Sequence, residues 1–291
     1  MPNLTSTAIR RLARLDPFPQ PDIIPLRNPV VLMHGFGLLA FLAKGGHLHE
    51  EAMHLRVSGI LAFAPNVSPY DTISERAATW KGHIQEILSQ TRHSKVHLIA
   101  HSMGGCIALR ALIQKLAVQA VSFSAPMWGI LFHPPAKRAL AWGLSSLLYP
   151  FKWAEMRAPG TSVGSHLQEV SFEENQLSCD PQMFEIMIHQ LQELPDCALG
   201  GPSLRWLNEA LRETLSLHRH AAPNHPALCF VGGLETIVDP KRIHQRMARW
   251  PGASLKLVPQ AKHEFIMERQ EIRTEFFRET IAHFNRHHPS A

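Results

Sequence analysis

A serine stands where a buried strand pattern gives way to a helical pattern, in the segment "KVHLIAHSMGGCIALRAL" (residues 95–112). The pentapeptide "AHSMG" around Ser102 is a variant of the G-x-S-x-G motif, with Ala100 in the first position. In that motif a sharp turn from strand to helix exposes the serine hydroxyl, and small flanking residues allow the two elements to pass closely. The alternative is an ordinary small residue at a tight turn, but the strand before it and the helix after it favour Ser102 as a nucleophile.

Strand and helix patterns alternate along most of the chain, which limits the fold class. Continuous apolar runs are typical of strands that are buried on both faces, as in a parallel sheet. Helical patterns separate these runs, so the sequence predicts an α/β fold with a mostly parallel sheet covered by helices on both faces. The predicted strands span 29–37, 59–66, 95–102, 117–126, 226–233 and 254–260, and the predicted helices span 49–56, 71–90, 103–116 and 269–285, with another beginning at Pro240.

One region interrupts this alternation and divides the chain. Residues 127–223 are rich in Trp, Leu, Met and Pro and show no clear strand pattern, which predicts an inserted helical cap or lid. Residues 29–126 and 224–291 then form the α/β core, and residues 1–28 form an N-terminal extension.

The predicted cap contains a conspicuously apolar segment at residues 138–154. This segment is compatible both with a helix packed on the cap's own core and with a lid that lines an acyl pocket, since pocket walls are usually apolar. Trp142 and Phe151 are the candidate pocket residues.

A serine hydroxyl needs a base to take its proton, and His263 has the position for that role. The chain contains 19 histidines, but His263 lies in the loop "VPQAKHEF", after the last predicted strand and before the final helix. From there an imidazole can reach a serine above the carboxyl edge of the sheet. His101 is adjacent to Ser102 in sequence, and we expect its side chain to point elsewhere.

Two carboxylates follow a predicted strand in "GGLETIVDP", and either can supply the acid that orients the histidine. Asp239 precedes Pro240 and a helical pattern, which is typical of an N-cap with proline in the first helical position. Glu235 lies two residues beyond Gly233 and has no such structural explanation. We therefore predict Glu235 as the acid and keep Asp239 as the alternative.

Acyl transfer also requires two N–H groups that bind the developing oxyanion. The amide of Met103, the residue after the nucleophile, is one predicted donor. The amide of Phe36, just after "HG" in "PVVLMHGFG", is the other, and Gly35 and Gly37 allow the backbone to turn close to a substrate.

Other kinds of site find little support in the sequence. His49 and His54 in "HLHEEAMH" are five residues apart instead of four, so they do not form the H-E-x-x-H zinc motif. A dinucleotide-binding G-x-G-x-x-G after a strand and a Walker motif are both missing. The net charge of +5 is a mild excess without an aromatic and basic nucleic-acid pattern. We expect no metal, no cofactor and no nucleic-acid partner.

The expected location is the cytoplasm. A secretory signal is not recognisable, and the sequence lacks a run of about 18 apolar residues that could span a membrane.

The four cysteines show no C-x-x-C spacing and are expected as thiols, with a Cys179–Cys197 disulfide considered only for an exported protein. An apolar face flanked by arginines at residues 9–15 fits either packing on the domain or a transient contact with a membrane surface.

With these residues in place, the sequence resembles the α/β-hydrolase superfamily over residues 29–285. The front part, from "PVVLMHGFG" to "KVHLIAHSMGG", is similar to bacterial triacylglycerol lipases and esterases. The back part is similar to lysophospholipase L2 and monoacylglycerol lipases, in "SFSAPMWGI", "ALGGPSLRWLNEA" and "KHEFIMERQEIRTEFFRETIAHFNRH". The resemblance implies a Ser–His–acid hydrolase with a helical cap that acts on carboxylic esters. The chain departs from the usual pattern at Ala100, where glycine is usual, and at Glu235, where aspartate is usual.

The leading hypothesis is therefore a serine hydrolase that cleaves carboxylic esters of lipid-like substrates through an acyl-enzyme, as a carboxylesterase, lysophospholipase or monoacylglycerol lipase. The same triad also supports hydrolysis of thioesters, amides or carbon–carbon bonds. A non-catalytic binding protein of this fold is a third hypothesis. It is disfavoured because such proteins tend to lose the serine or the histidine, and both are present.

Overall fold

The computed structural model describes residues 26–35, 48–68, 71–161, 164–193 and 200–287. The strands are β1 Val30–Met33, β2 Ala62–Phe63, β3 Val96–His101, β4 Val118–Ser124, β5 Ala227–Gly232 and β6 Ser254–Val258. The α-helices are α1 His49–Val57, α2 Ile73–Thr91, α3 Met103–Ile113, α4 Ala136–Leu148, α5 His166–Glu169, α6 Pro181–Glu193, α7 Leu204–Arg219, α8 Pro240–Ala248 and α9 Gln270–Arg286, with 3₁₀ helices at Lys152–Glu155 and Phe265–Met267. Residues 9–15, Phe36, Gly37 and Cys197, which carried sequence-based predictions, lie outside the described residues.

The six strands form one parallel sheet in the order β2-β1-β3-β4-β5-β6. Strands β1, β3 and β5 are buried along their whole length, as the continuous apolar runs indicated. The predicted α/β fold class with a mostly parallel sheet is confirmed.

Strand β2 is much shorter than the sequence predicted. The apolar pattern covers residues 59–66, but only Ala62 and Phe63 pair with β1. This strand is at the edge of the sheet and has a neighbour on one side only. Pro65 has no N–H to donate, so it cannot extend a hydrogen-bonded ladder.

Helix α2 begins with a capping box, which explains its sharp start. The Thr72 hydroxyl accepts the N–H of Glu75 at 3.2 Å, and the Glu75 carboxylate accepts the N–H of Thr72 at 2.8 Å. Thr72 is thus the N-cap residue of this helix. The buried side of the helix includes Trp80, which is fully buried in the main core.

The described part of residues 127–223 contains helices α4 to α7, a 3₁₀ helix and isolated bridge residues, without a longer strand. Of these helices, α4 and α7 share a small core that contains Ala158, Leu204, Leu207 and Leu211 and is separate from the main core cluster. Among the described residues, no helix combines the length and the apolar character that crossing a membrane requires.

Because all six strands are parallel, their carboxyl ends lie at the same edge of the sheet. Ser102 follows β3, Glu235 follows β5 and His263 follows β6. Side chains that are distant in sequence are thus brought to one place, which is where open α/β sheets bind ligands.

Candidate active site

Ser102 occupies the turn between β3 and α3 in a strained backbone conformation. Its φ of 49° and ψ of −120° lie in a region that residues with a side chain rarely adopt. Hydrogen bonds on both sides hold this conformation: the N–H of Ser102 donates to the carbonyl of Ser124 at 2.9 Å, and its own carbonyl accepts the N–H of Met127 at 2.8 Å. The turn presents the hydroxyl at the carboxyl end of the sheet, as the motif predicts.

The glycines of this turn are required by close packing. A Cβ atom at Gly104 would lie 2.3 Å from the carbonyl oxygen of Met33, and one at Gly105 would lie 2.5 Å from Cβ of Pro126. Ala100, which replaces the first glycine of the motif, is fully buried within β3. The positions that require glycine are therefore the two in α3 that follow the serine, and not the one in β3 that precedes it.

His263 joins Ser102 to a carboxylate in one continuous chain of hydrogen bonds. Its Nε2 lies 2.9 Å from Oγ of Ser102, and its Nδ1 lies 2.7 Å from Oε2 of Glu235. The His263 side chain is 3% exposed and that of Glu235 is fully buried. This arrangement lets the imidazole accept a proton from the serine while the carboxylate fixes its orientation.

The structure separates the two candidate acids. Glu235 contacts His263, and its second oxygen accepts the N–H groups of Ile237 at 2.7 Å and Val238 at 3.1 Å. Asp239 is the N-cap of α8, and its Oδ1 accepts the N–H of Lys241 at 3.0 Å. The geometry thus brings Glu235, and not Asp239, to His263, and it has Asp239 at the helix start, in keeping with the N-cap explanation.

The pKa values of the pair shift in the directions expected for an ion pair. Burial alone lowers the pKa of His263, but the hydrogen bond and charge of Glu235, with a smaller contribution from Glu264, outweigh it and raise that pKa. Burial raises the pKa of Glu235, but the hydrogen bond and charge of His263 and two backbone N–H groups lower it overall. The site therefore favours a charged carboxylate and stabilises the imidazolium that forms during proton transfer.

The described part of the predicted oxyanion hole consists of Met103 and Gly35. Met103 is the first residue of α3, so its N–H has no acceptor within the helix. Gly35 approaches it so closely that a Cβ atom there would lie 2.4 Å from Cβ of Met103. Phe36, the other predicted donor, lies outside the described residues, and its role stays a prediction.

Arg76 on α2 is a residue of this site that the sequence did not reveal. It is 1% exposed, and its Nη1 donates to the carbonyl of Gly35 at 2.7 Å and contacts Sδ of Met103 at 3.4 Å. The Gly35 carbonyl belongs to the same planar peptide as the N–H of Phe36, so holding one group orients the other. The sequence feature that could have indicated this role is the presence of an arginine on the apolar face of the predicted helix 71–90.

His101 and Glu264 form a second histidine–carboxylate pair beside the triad. Nε2 of His101 lies 2.8 Å from Oε1 of Glu264, and Nδ1 lies 3.1 Å from Oγ of Ser124. The side chain thus points away from Ser102, as expected. Together with His263 these groups place three metal-ligand atoms within 4.8 Å of one another. Both ring nitrogens of each histidine already have protein hydrogen-bond partners, so a metal ion would have to displace contacts of the triad.

The two candidate pocket residues lie in different surroundings. Trp142 is half-buried and packs against the small helical core around Leu207. Phe151 is 55% exposed and lies beside Trp153, with 6.4 Å between the ring centroids. Their predicted role in an acyl pocket stays a prediction.

Comparison with known sequences identifies related proteins. The family model described as "Serine aminopeptidase, S33" (Hydrolase_4) matches residues 68–270. A probable lysophospholipase L2 from Haemophilus influenzae is 26% identical over 227 residues, which cover 72% of this chain and 70% of that protein. Lysophospholipase L2 from Escherichia coli K12 is 25% identical over 231 residues, which cover 75% of this chain and 64% of that protein, less than two thirds of its length.

Comparison with solved structures supports the same fold. A soluble variant of monoglyceride lipase from Saccharomyces cerevisiae, in complex with a substrate analog, has a TM-score of 0.70 at 19% identity and covers 91% of this chain and 89% of its own. Monoacylglycerol lipase from Paleococcus ferrophilus has a TM-score of 0.67 at 18% identity and covers 93% of this chain and 97% of its own. The family match spans more than half of the sequence and contains Ser102, Glu235 and His263. The chain belongs to the S33 serine aminopeptidase (Hydrolase_4) family of α/β-hydrolases.

Proposed function

We propose that this protein is a carboxylic ester hydrolase that acts on lipid-like esters through an acyl-enzyme on Ser102. The observation that carries the proposal is the continuous hydrogen-bonded chain from Ser102 through His263 to Glu235, with 2.9 Å and 2.7 Å between successive heavy atoms. It combines a nucleophile in a strained turn with a base and a buried orienting carboxylate.

In the proposed reaction, Oγ of Ser102 attacks the ester carbonyl carbon while Nε2 of His263 takes the hydroxyl proton. The carbonyl oxygen becomes an oxyanion that accepts the N–H groups of Met103 and Phe36. When the bond to the leaving alcohol breaks, the imidazolium returns the proton to the alcohol oxygen, and the acyl group stays on the serine. Water then attacks the acyl-enzyme with the same base, which releases the acid and regenerates the hydroxyl.

The substrate class rests on the relatives. Their names are lysophospholipase L2, monoglyceride lipase and monoacylglycerol lipase, which indicates a carboxylic ester hydrolase with a lipid-like substrate. Hydrolysis of thioesters, amides or carbon–carbon bonds uses the same triad and is the alternative. A non-catalytic binding role is less well supported, because the described residues keep the serine, the histidine and the acid in hydrogen-bonding contact.

Labelling with a fluorophosphonate probe tests the nucleophile. We expect the wild-type protein to be labelled and Ser102→Ala to be unlabelled, with ester turnover reduced by about 10⁴-fold or more. The fold should persist in this variant, since the change removes one hydroxyl at a partly exposed position. Near wild-type turnover by Ser102→Ala would exclude the mechanism, and absence of labelling of the wild type would favour a binding protein.

A panel of substrates then tests which class of bond the protein hydrolyses. It contains p-nitrophenyl esters of increasing chain length, lysophosphatidylcholine, monoolein, an acyl thioester and an aminoacyl anilide. We expect the highest kcat/KM on lysophosphatidylcholine or monoolein. The highest kcat/KM on the thioester or the anilide would replace the ester assignment with one of the alternatives.

We also propose that the protein makes transient contact with an anionic lipid surface through the middle region. Eight large apolar side chains are exposed in the described part of the chain, and five lie in one segment. We call these five the cap patch. They are Leu140, Leu147, Phe151, Trp153 and Met156, and their exposed fractions are 65%, 69%, 55%, 64% and 59%. Exposed Lys137, Arg138 and Lys152 lie in the same segment. Apolar and aromatic groups mixed with basic residues suit the interface of an anionic bilayer.

Sedimentation with vesicles tests this contact. We expect binding to phosphatidylglycerol vesicles that weakens with salt, and weaker binding to phosphatidylcholine vesicles. The double variant Leu147→Ser with Trp153→Ser should lose it. Leu257→Ser, which replaces a 55% exposed leucine on β6, is the matched control and should bind normally. Equal binding by the wild type and the double variant would refute the cap patch, and a dimer in solution that the double variant abolishes would identify a second copy as its occupant.

A further inference from the structure

Residues 172–180, between α5 and α6, form a segment that we call the strap. Asn175 is 3% exposed and holds the segment in shape, because its Oδ1 accepts the N–H groups of Leu177 at 2.9 Å and Ser178 at 3.0 Å. Ser178 is fully buried, and its hydroxyl donates to the carbonyl of Met267 at 2.6 Å. The strap is therefore an ordered part of the middle region that reaches the C-terminal part of the core.

The strap is hydrogen-bonded to the residues directly before and after His263. Nζ of Lys262 donates to the carbonyl of Asn175 at 2.6 Å, and the N–H of Glu264 donates to the carbonyl of Leu177 at 2.8 Å. The backbone on both sides of the histidine is thus held by a segment that lies some 90 residues earlier in the sequence.

A buried carboxylate makes the central link between the strap and the histidine loop. Glu268 is fully buried and accepts the N–H of Lys262 at 2.8 Å, the N–H of Cys179 at 3.1 Å to each oxygen, and the N–H of Arg269 at 3.2 Å. A charged acceptor makes stronger hydrogen bonds than a neutral one, and loss of an acceptor leaves buried N–H groups unsatisfied. Glu268 therefore fixes three backbone positions with one side chain.

We propose that Glu268 is a positioning residue for His263, and that it links the orientation of the imidazole to the strap. This inference rests on the proposed function, because it concerns the same triad. Lys262 immediately precedes His263, so a shift of its N–H moves the ring relative to the hydrogen bonds that Ser102 and Glu235 make with it. A displacement of about 1 Å can cost roughly 10²-fold in rate.

The variant Glu268→Gln tests this role, because it keeps the size of the side chain and removes the charge. We measure the second-order rate of fluorophosphonate labelling of Ser102, together with kcat, KM and their pH dependence, well below the melting temperature. We expect the labelling rate and kcat to fall by about tenfold to hundredfold with KM little changed. The acidic limb of the pH profile of kcat should move to lower pH. The contact with Glu235 raises the pKa of His263, so a shift of the ring that weakens this contact lowers that pKa.

Two further variants complete the test. Glu275→Gln makes the same chemical change at an exposed position of α9 and should behave as wild type. Lys262→Met removes the bond from Nζ to Asn175 but keeps the backbone N–H that Glu268 accepts, so a smaller decrease in the labelling rate is expected.

Wild-type labelling rate and pH profile in folded Glu268→Gln would overturn the inference, whatever its melting temperature. If that variant does not fold, Glu268→Asp is measured instead, because its shorter side chain withdraws the oxygens from the N–H groups of Lys262 and Cys179. A wild-type labelling rate in Glu268→Asp would overturn the inference. Failure of the wild-type protein to react with the probe would instead contradict the proposed function, so the two failures are distinguishable.

Discussion

Nδ1 of His263 lies 2.7 Å from Oε2 of Glu235, and both side chains are almost completely buried. Backbone N–H groups of Ile237 and Val238 hold the other oxygen of that carboxylate. The carboxylate is therefore fixed by the loop after β5. Because an ionised carboxylate only accepts hydrogen bonds, Nδ1 is the ring nitrogen that carries the proton and donates it. This leaves Nε2 directed at Ser102, which is the tautomer and orientation that a general base needs.

Replacing each of the two candidate acids separates their roles. Glu235→Gln should reduce kcat by about 10³- to 10⁴-fold, because an amide can stabilise the wrong imidazole tautomer and carries no charge. Asp239→Asn should leave kcat within about twofold, since asparagine also caps helices well. Ester hydrolysis and thermal melting of both variants check this. A large loss of kcat in Asp239→Asn with little loss in Glu235→Gln would show that the two roles are reversed.

The pH dependence of kcat/KM should reveal the raised pKa of His263. The imidazole must be neutral to act as a base, so activity is lost as the pH falls through its pKa. Because Glu235 raises that pKa above its ordinary value of 6.5, the acidic limb should lie above pH 6.5. In Glu235→Gln the burial that lowers the pKa of His263 remains, and of the raising contributions only the smaller one from Glu264 is left, so the limb of the residual activity should move to lower pH. An acidic limb at the same pH in both proteins would contradict this assignment.

The sequence was most informative about candidate catalytic residues that directly follow a strand. Ser102, Glu235 and His263 each lie just after a strand, so a parallel sheet brings them together without any knowledge of side-chain contacts. Their contacts could be anticipated for this reason, while their catalytic roles stay predictions.

The supporting residues could not be found in the same way. The bond from Arg76 to Gly35 spans 41 residues, and the bonds from Glu268 to Cys179 span 89. Neither pair leaves a periodic pattern or a motif, because each depends on how two loops or helices meet in space. The edge strand β2 was overestimated for a related reason: apolar runs report burial, whereas strand length also depends on having a pairing partner.

Arg76→Met should lower kcat more than it raises KM. The substitution removes the donor that holds the carbonyl of Gly35 and keeps a long apolar side chain, so the peptide that carries the predicted Phe36 donor loses its orientation. Loss of an oxyanion donor reduces kcat by about 10²- to 10³-fold. Because the donor is here only misaligned, we expect kcat to fall by about 10-fold or more. Lys81→Met, at an exposed position of the same helix, is the control and should retain wild-type kcat. An unchanged kcat in folded Arg76→Met would assign Arg76 to stability alone.

Two glycine-to-alanine substitutions test the packing of the serine turn. A Cβ atom at Gly104 would lie 2.3 Å from the carbonyl oxygen of Met33, in backbone that cannot rotate away. Gly104→Ala should therefore destabilise the protein by about 2 kcal/mol or more and reduce kcat, since α3 and Ser102 must shift to relieve the overlap.

Gly82 provides the matched control, because it lies within α2 and a Cβ atom there would have no heavy atom within 4 Å. Gly82→Ala should stabilise the protein by about 0.5–1 kcal/mol, because alanine loses less backbone entropy than glycine on forming a helix, and kcat should not change. Denaturant unfolding gives both free energies. If Gly104→Ala proved as stable and active as Gly82→Ala, the close approach of α3 to β1 would not be what requires glycine after the serine.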